Sequence, residues 1–478
     1  MIKLFALARP IGFGLLLAVS GMSHADEPGK VFNVRAYGAT GDGLTLDTRA
    51  LNQAIEACSK AGGGQVRIPP GRYLTGTIKL CGHMSLYLEA GARIIGTTNL
   101  DYYSAPMSSA VMSKAELQSW LKWQRGLIIG YNLEDVQIGG PGVIDGNKVF
   151  DPDGEEQQRG PYTINLVECR HLVIRDLEFV DSANYAIFFQ ATDDVMVRNV
   201  EVVGGWDGVH FNGVHEHYCR NVSIIDCQFF TGDDSVAGSY WDNVVIAGCT
   251  MNTSCNGLRL MGPARHLTVD HCLFSGPGQN PHRTSSRTNM LSGIILQPGA
   301  FHKRDGVLDD VLLSNNTMKD VAAPVTIWTY PNNTVGRITI SGLDAIGVYR
   351  AAISAESWND APITNLVIRN VHSEFVGGGT AEQSKQAVQA PVYDCRSMPA
   401  WGIYLRNVDR VTVEDVRLSL TQDDFRPVIM AEQVKLLSFD NVRYSHVSGV
   451  TKALVTNRVD KLKLVDTDSS ADWKTSEV

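Results

Sequence analysis

The chain has 478 residues, 51 acidic side chains against 42 Lys and Arg, and a formal charge of −9. With no basic tract and no alternation of basic and aromatic residues, that balance excludes a nucleic-acid-binding class. Nine cysteines are an odd number without CxxC-type spacing, so no metal-ligand pattern stands out; Cys58 and Cys81 could pair, a connectivity the sequence leaves open.

Residues 1–25 read as an export signal: Lys3 and Arg9 precede the apolar run GFGLLLAV, and SHA ends at Ala25 with the small residues a peptidase requires. No later run is apolar for long enough to cross a bilayer, so the expectation is a soluble periplasmic or secreted protein with no membrane partner. LDTRALNQAIEACSKAGGG, from Leu46, predicts a short helix. Asp47 is placed to cap its start, apolar residues recur at helical spacing from Leu51 to Cys58, and Gly62 can end it in the left-handed region. Such a helix would cap the first coil of a solenoid, whose edge strands would otherwise recruit other chains.

A repeat follows. HLVIRDLEF (171–179), DVMVRNVEV (194–202), NVSIIDCQF (221–229), NVVIAGCTM (243–251) and HLTVDHCLF (266–274) place apolar residues in the same four columns, for example Ile174, Val197, Ile224, Ile246 and Val269. Each unit alternates with period two, bends at a polar pair such as Arg175-Asp176 and resumes alternation, which describes two short strands. A period of about 22–27 residues is too short for paired helices and predicts a single all-β domain, residues 26–478, built as a parallel β-helix of roughly ten or more coils. Cys227, Cys249 and Cys272 share one inward column and read as a buried ladder. Residues 377–400 break the period and read as a surface insertion.

Counting forward from the aligned columns stacks Tyr185, Asp207, Asp234 and Asn256 at the start of the next strand, with Asp233 one residue before its column. Coils lie about 4.8 Å apart, so these carboxylates are neighbours and cannot all ionise cheaply. Catalytic acid and base, a calcium site, or a stack of turn-capping aspartates would each use this pattern. Farther along, Phe188, His210, Ala237, Arg259 and Ile295 form one outward column, and Gln190, Asn212, Ser239, Met261 and Gln297 another. His210 and Arg259 fit a substrate-binding role or, equally, a groove wall and an ion pair with Asp234. Trp206 and Trp328 are candidates to stack on a sugar face, and Glu356 shares the outward column of Trp328. SGPGQNPHRTSSRTNML (275–291) interrupts the repeat and carries His282, Arg283 and Arg287 near the carboxylates, as a basic lid or a solvated loop. HEH at 215–217 lacks a third metal ligand.

The segment from Val31 to Leu80, VFNVRAYGATGDG through GRYLTGTIKL, resembles the amino-terminal signature of pectate-lyase-like β-helix enzymes, above all glycoside hydrolase family 28, the polygalacturonases and their relatives. GPGVIDGN (140–147) and RGPYTINLVECRHLVIRDLEF (159–179) continue the likeness. The resemblance implies a right-handed β-helix and a catalytic groove in which Asp233 is the acid and Asp207 with Asp234 the base, acting with inversion and with no cofactor or metal. Asn256 stands where the family has a histidine, and Ile295 with Gln297 replace its Arg-Ile-Lys strand. Those departures point away from a standard polygalacturonase, toward a neutral or differently charged carbohydrate. The function expected is an exported glycoside hydrolase with catalytic Asp207, Asp233 and Asp234 and with Trp206, His210, Asn256, Arg259, Gln297, Trp328 and Glu356 binding substrate. A β-helix lyase, transferase or epimerase, or a non-catalytic glycan-binding solenoid, are the alternatives.

Overall fold

The computed structural model describes residues 30–106, 124–301, 304–390, 393–450 and 452–468. The expected leader, residues 1–25, lies outside them. Among the described residues no helix is long and apolar enough to cross a membrane.

The period-two segments become short strands that pair only in parallel with their counterparts one repeat away, giving a right-handed parallel β-helix. Three strand stacks wrap the core. One runs through Arg170–Arg175, Asp193–Arg198, Cys219–Ile225, Trp241–Ala247 and Ala264–Asp270. A second runs through Glu178–Val180, Glu201–Val203, Gln228–Thr231, Thr250–Thr253 and Leu273–Ser275. The third carries the site: Tyr162–Val167, Ile187–Gln190, Val209–Asn212, Val236–Ser239, Asn256–Leu260 and Met290–Leu296. The expected register is the observed one, since Phe188, His210, Ala237, Arg259 and Ile295 are successive cross-coil partners.

Alternation sends every second residue inward, where Phe179, Val202, Phe229, Met251 and Phe274 stack with no exposure. Cys227, Cys249 and Cys272 lie in the same core, and all nine cysteines are free thiols. The bend between the first two stacks falls on Asp176, Asn199 and Asp226, each with positive φ, a conformation that short polar side chains tolerate.

The capping helix spans Thr48–Lys60 and buries Leu51, Ala54, Ile55 and Cys58 against the first coil. Gly62 follows at φ +82°, as expected. Asp47 occupies the N-cap position but does not cap. Its carboxylate accepts from the backbone N–H groups of Thr40 and Gly41, so it ties the preceding loop to the helix instead.

Candidate active site

Two sharp turns on adjacent coils deliver the acidic residues. Gly204 and Gly205 both hold left-handed φ just before Trp206-Asp207, and a Cβ on Gly205 would come within 2.7 Å of the Ser182 carbonyl oxygen, so only glycine makes this corner. On the next coil the Asp234 N–H donates to Asp233 Oδ1, while the Thr231 hydroxyl donates to the Asp233 carbonyl. Asp207, Asp233 and Asp234 are only 3%, 8% and 4% exposed. All three line a cavity of about 360 Å³.

Their partners differ, and so do their charges. Arg159 Nη2 donates to Asp233 Oδ2 at 2.9 Å, and its Nη1 lies 3.9 Å from Asp207 Oδ1, so one guanidinium spans two carboxylates. His282 Nε2 approaches Asp233 Oδ2 to 3.7 Å. Burial would push Asp233 up, but His282 and Arg159 outweigh it and hold this carboxyl well below the usual range. Asp207 moves the other way: burial, then the charges of Asp233 and Asp234, raise it far above an ordinary aspartate. Its Oδ2 lies 2.7 Å from His210 Nδ1, and burial followed by the charges of Arg304 and Arg159 pulls that imidazole down to about 3, so the histidine is neutral. Asp234 is raised by burial, while Asn256 donates to its Oδ1 at 2.8 Å and Arg259 Nε stands 3.3 Å from its Oδ2. A protonated and an ionised carboxyl side by side are the two states that acid–base catalysis needs.

Loops close around this core. Much of 275–291 is exposed, but its basic side chains turn onto the site: Arg287 donates to the Ser254 carbonyl and to Cys255 Sγ, and His282 is buried against Trp206. Arg283 lies over the Trp206 ring at 5.7 Å. From the other side come Phe301, Arg304, Tyr393 and Asp394.

The family model described as "Rhamnogalacturonase A/epimerase, pectate lyase-like" matches residues 31–259. Over that stretch the chain is similar to the pectate-lyase-like family. A probable polygalacturonase of Vitis vinifera is 29% identical over 59% of this chain and 60% of its own length. An exo-poly-alpha-D-galacturonosidase of Dickeya chrysanthemi is 27% identical over 43% of this chain and 41% of its own. The match thus spans less than two thirds of either relative. In fold, the chain is similar to a hyperthermoactive exopolygalacturonase from Thermotoga maritima, with TM-score 0.59, 19% identity, and 73% of this chain and 88% of that one covered. It is also similar to a family 28 exopolygalacturonase of Yersinia enterocolitica, with TM-score 0.55, 15% identity, and 94% and 77% covered.

Of the residues picked out in the sequence, the β-helix brings Asp207, Asp233, Asp234, His210 and Arg259 together on the cavity wall. Asn256 is buried beneath them as a donor to Asp234. The two tryptophans are not sugar platforms. Arg159 lies 3.9 Å over the Trp206 ring, and Trp328 is 1% exposed beneath Arg396, with its Nε1 donating to Glu356. Glu356 is fully buried and Gln297 donates to the Tyr393 carbonyl, so neither reaches the cavity. Alternation had pointed these side chains outward correctly, but a neighbouring segment covers them.

The residue that sequence reasoning missed is Arg159. It comes from a loop 74 residues before Asp233 and carries no periodic signal; its one trace is its place at the head of the RGPY match. Three ligand atoms of Asp233, Asp234 and Cys255 lie within metal-binding distance of one another, as do those of Glu134, Asp135 and His171. In the first group Arg159, Arg259 and Arg287 already occupy the acceptors, and in the second Arg170 and His83 do, so neither donor set suits a resident cation.

Proposed function

We propose that the protein is a glycoside hydrolase that cleaves a polysaccharide by carboxylate acid–base catalysis at Asp207, Asp233 and Asp234. The observation that carries this reading is geometric: three buried carboxylates on one cavity wall, with the Arg159 guanidinium against Asp233 at 2.9 Å and 3.9 Å from Asp207, an arrangement that favours a proton on Asp207 and charge on Asp233. In the free protein the proton rests on Asp207. Substrate that displaces Arg159 and His282 removes the cations that keep Asp233 ionised, and the proton of the cluster passes to Asp233, the more exposed carboxyl, where the family resemblance assigns the acid. Asp233 then protonates the departing glycosidic oxygen, while Asp207 and Asp234, now ionised, take a proton from the attacking water.

The substrate is a glycan that contains uronic acid. Arg304 lines the cavity, meets no carboxylate among the described residues and has only the Ala300 carbonyl at 3.5 Å, so a bound sugar carboxylate would supply its missing partner. This reading keeps a charged glycan where the lost Arg-Ile-Lys strand pointed to a neutral or differently charged one, because the arginines come from other positions. The relatives named as polygalacturonases support it.

The test is release of reducing ends from a panel of plant and bacterial polysaccharides that includes polygalacturonate, followed by Asp233→Asn and Asp207→Asn on the cleaved member. Asp233→Asn should abolish polymer hydrolysis yet spare aryl glycosides whose leaving group needs no proton. Full polymer hydrolysis by this variant would sink the mechanism, and an unsaturated product would replace hydrolysis with elimination.

A further inference from the structure

The segment between the strands Ile363–Phe375 and Ile403–Leu420 has an unusual path. It begins pinned at Gly379, whose N–H donates to Asp424 and whose carbonyl accepts from the Phe425 N–H. Residues 393–396 lie along the outward face of the site-bearing stack. Arg396 grips Glu356 and lies over Trp328; Cys395 donates to the Leu291 carbonyl; the Tyr393 carbonyl accepts from Gln297; and Asp394 accepts from Arg259 at 2.6 Å. Those anchors sit on consecutive coils, because Arg259, Ile295, Thr326 and Ser354 are successive cross-coil partners. The last anchor, Arg259, is one coil beyond the strand that follows Asp234.

We infer that Tyr393, Asp394 and Phe301 form an end stop that closes the carboxy-terminal side of the groove, so that the protein acts on chain ends and not within chains. The inference rests on the hydrolase reading and adds its mode of action. A polysaccharide cut internally must continue past the carboxylates in both directions along the coils. Here the outward face is covered from the fourth coil down to the one beside Asp234, which leaves room on that side for about one coil spacing, about 4.8 Å. The stop is built to meet a sugar. The rings of Phe301 and Tyr393 stack at 4.2 Å, both stay more than 40% exposed, and both line the cavity, so they present an apolar face beside the acceptor Asp394. This pair takes the place that Trp206 and Trp328 were expected to fill. The anchors on Tyr393, Asp394, Cys395 and Arg396 hold these four residues as a fixed wall.

The experiment follows products on the cleaved polysaccharide by chromatography and viscometry from the earliest time points. A chain-end enzyme releases mono- or disaccharide from the outset, and viscosity lags behind reducing ends. Tyr393→Ala and Asp394→Ala, checked for folding by thermal unfolding, should shift early products to longer oligosaccharides and raise the viscosity loss per bond cut about tenfold. A wild-type protein that yields mid-length oligosaccharides with an abrupt fall in viscosity overturns the end stop and leaves the hydrolase reading standing. Variants that fold and keep the wild-type product pattern overturn the assignment of these residues. No new reducing ends from any substrate in the panel overturns the hydrolase reading, and the end stop with it.

Discussion

Two acid–arginine clusters lie on the same outward face of the same strand stack, yet they have opposite characters. Around Glu356 both carboxylate oxygens are saturated: Oε1 accepts from Trp328 and Arg396, Oε2 from Trp358 and Arg396, and only Arg396 Nε is left over. Around Asp207 and Asp233 the bonds do not close. Arg159 keeps Nε and Nη1 without acceptors though buried, and among the described residues Asp207 has no donor closer than the 3.9 Å of Arg159 apart from His210. Both places set buried carboxylates against arginines, one in the turns before the strands and one within a strand; what differs is how far the surroundings satisfy the charge. A satisfied pair holds a fold together, whereas a cluster kept in tension has free energy available for moving protons.

Substitution separates the two most strongly. Asp233→Asn should lower polymer hydrolysis by about 10²–10⁴-fold and also lower stability at neutral pH, because the carboxylate that His282 and Arg159 hold ionised is gone, whereas Glu356→Gln should lower stability alone. Breaking that buried pair costs about 3–5 kcal/mol in a denaturation experiment, while the activity of each folded molecule stays within a few-fold. Equal loss of activity in both would erase the distinction. At the next level, Arg304→Gln should raise KM for a uronic-acid substrate about tenfold with kcat nearly unchanged, and have no effect on a neutral glycoside.

The smallest expected effect is on stability against pH. Asp207 titrates higher folded than unfolded, so its contribution is fully present below the unfolded value of about 3.9 and is lost as pH rises through the raised folded value. Asp207→Asn should therefore raise the unfolding temperature at neutral pH by about 2–4 °C and leave it unchanged in acid. A neutral-pH loss of stability in Asp207→Asn would show that its cluster is satisfied after all.

The repeat made most of the architecture legible in the sequence. Because side chains alternate strictly and coils stack in register, aligning five nine-residue units was enough to place Asp207 over Asp234 and His210 in line with Arg259. Loops follow no period, and that is where sequence reading stopped. Arg159 reaches Asp233 across 74 residues and Asp394 reaches Arg259 across 135, distances over which only the folded chain defines neighbours. The same limit explains Trp328: alternation shows that a side chain leaves the core but not what settles upon it. Asp47 adds a local case, since a capping position does not oblige the carboxylate to cap when two nearer N–H groups compete for it.

The cysteines offer a built-in record of opening. Cys227, Cys249 and Cys272 are reduced and inaccessible on three consecutive repeats, so a thiol reagent can label each only when its own stretch of solenoid parts. Comparing their labelling rates by mass spectrometry would reveal whether the spine unzips progressively from an end or comes apart all at once.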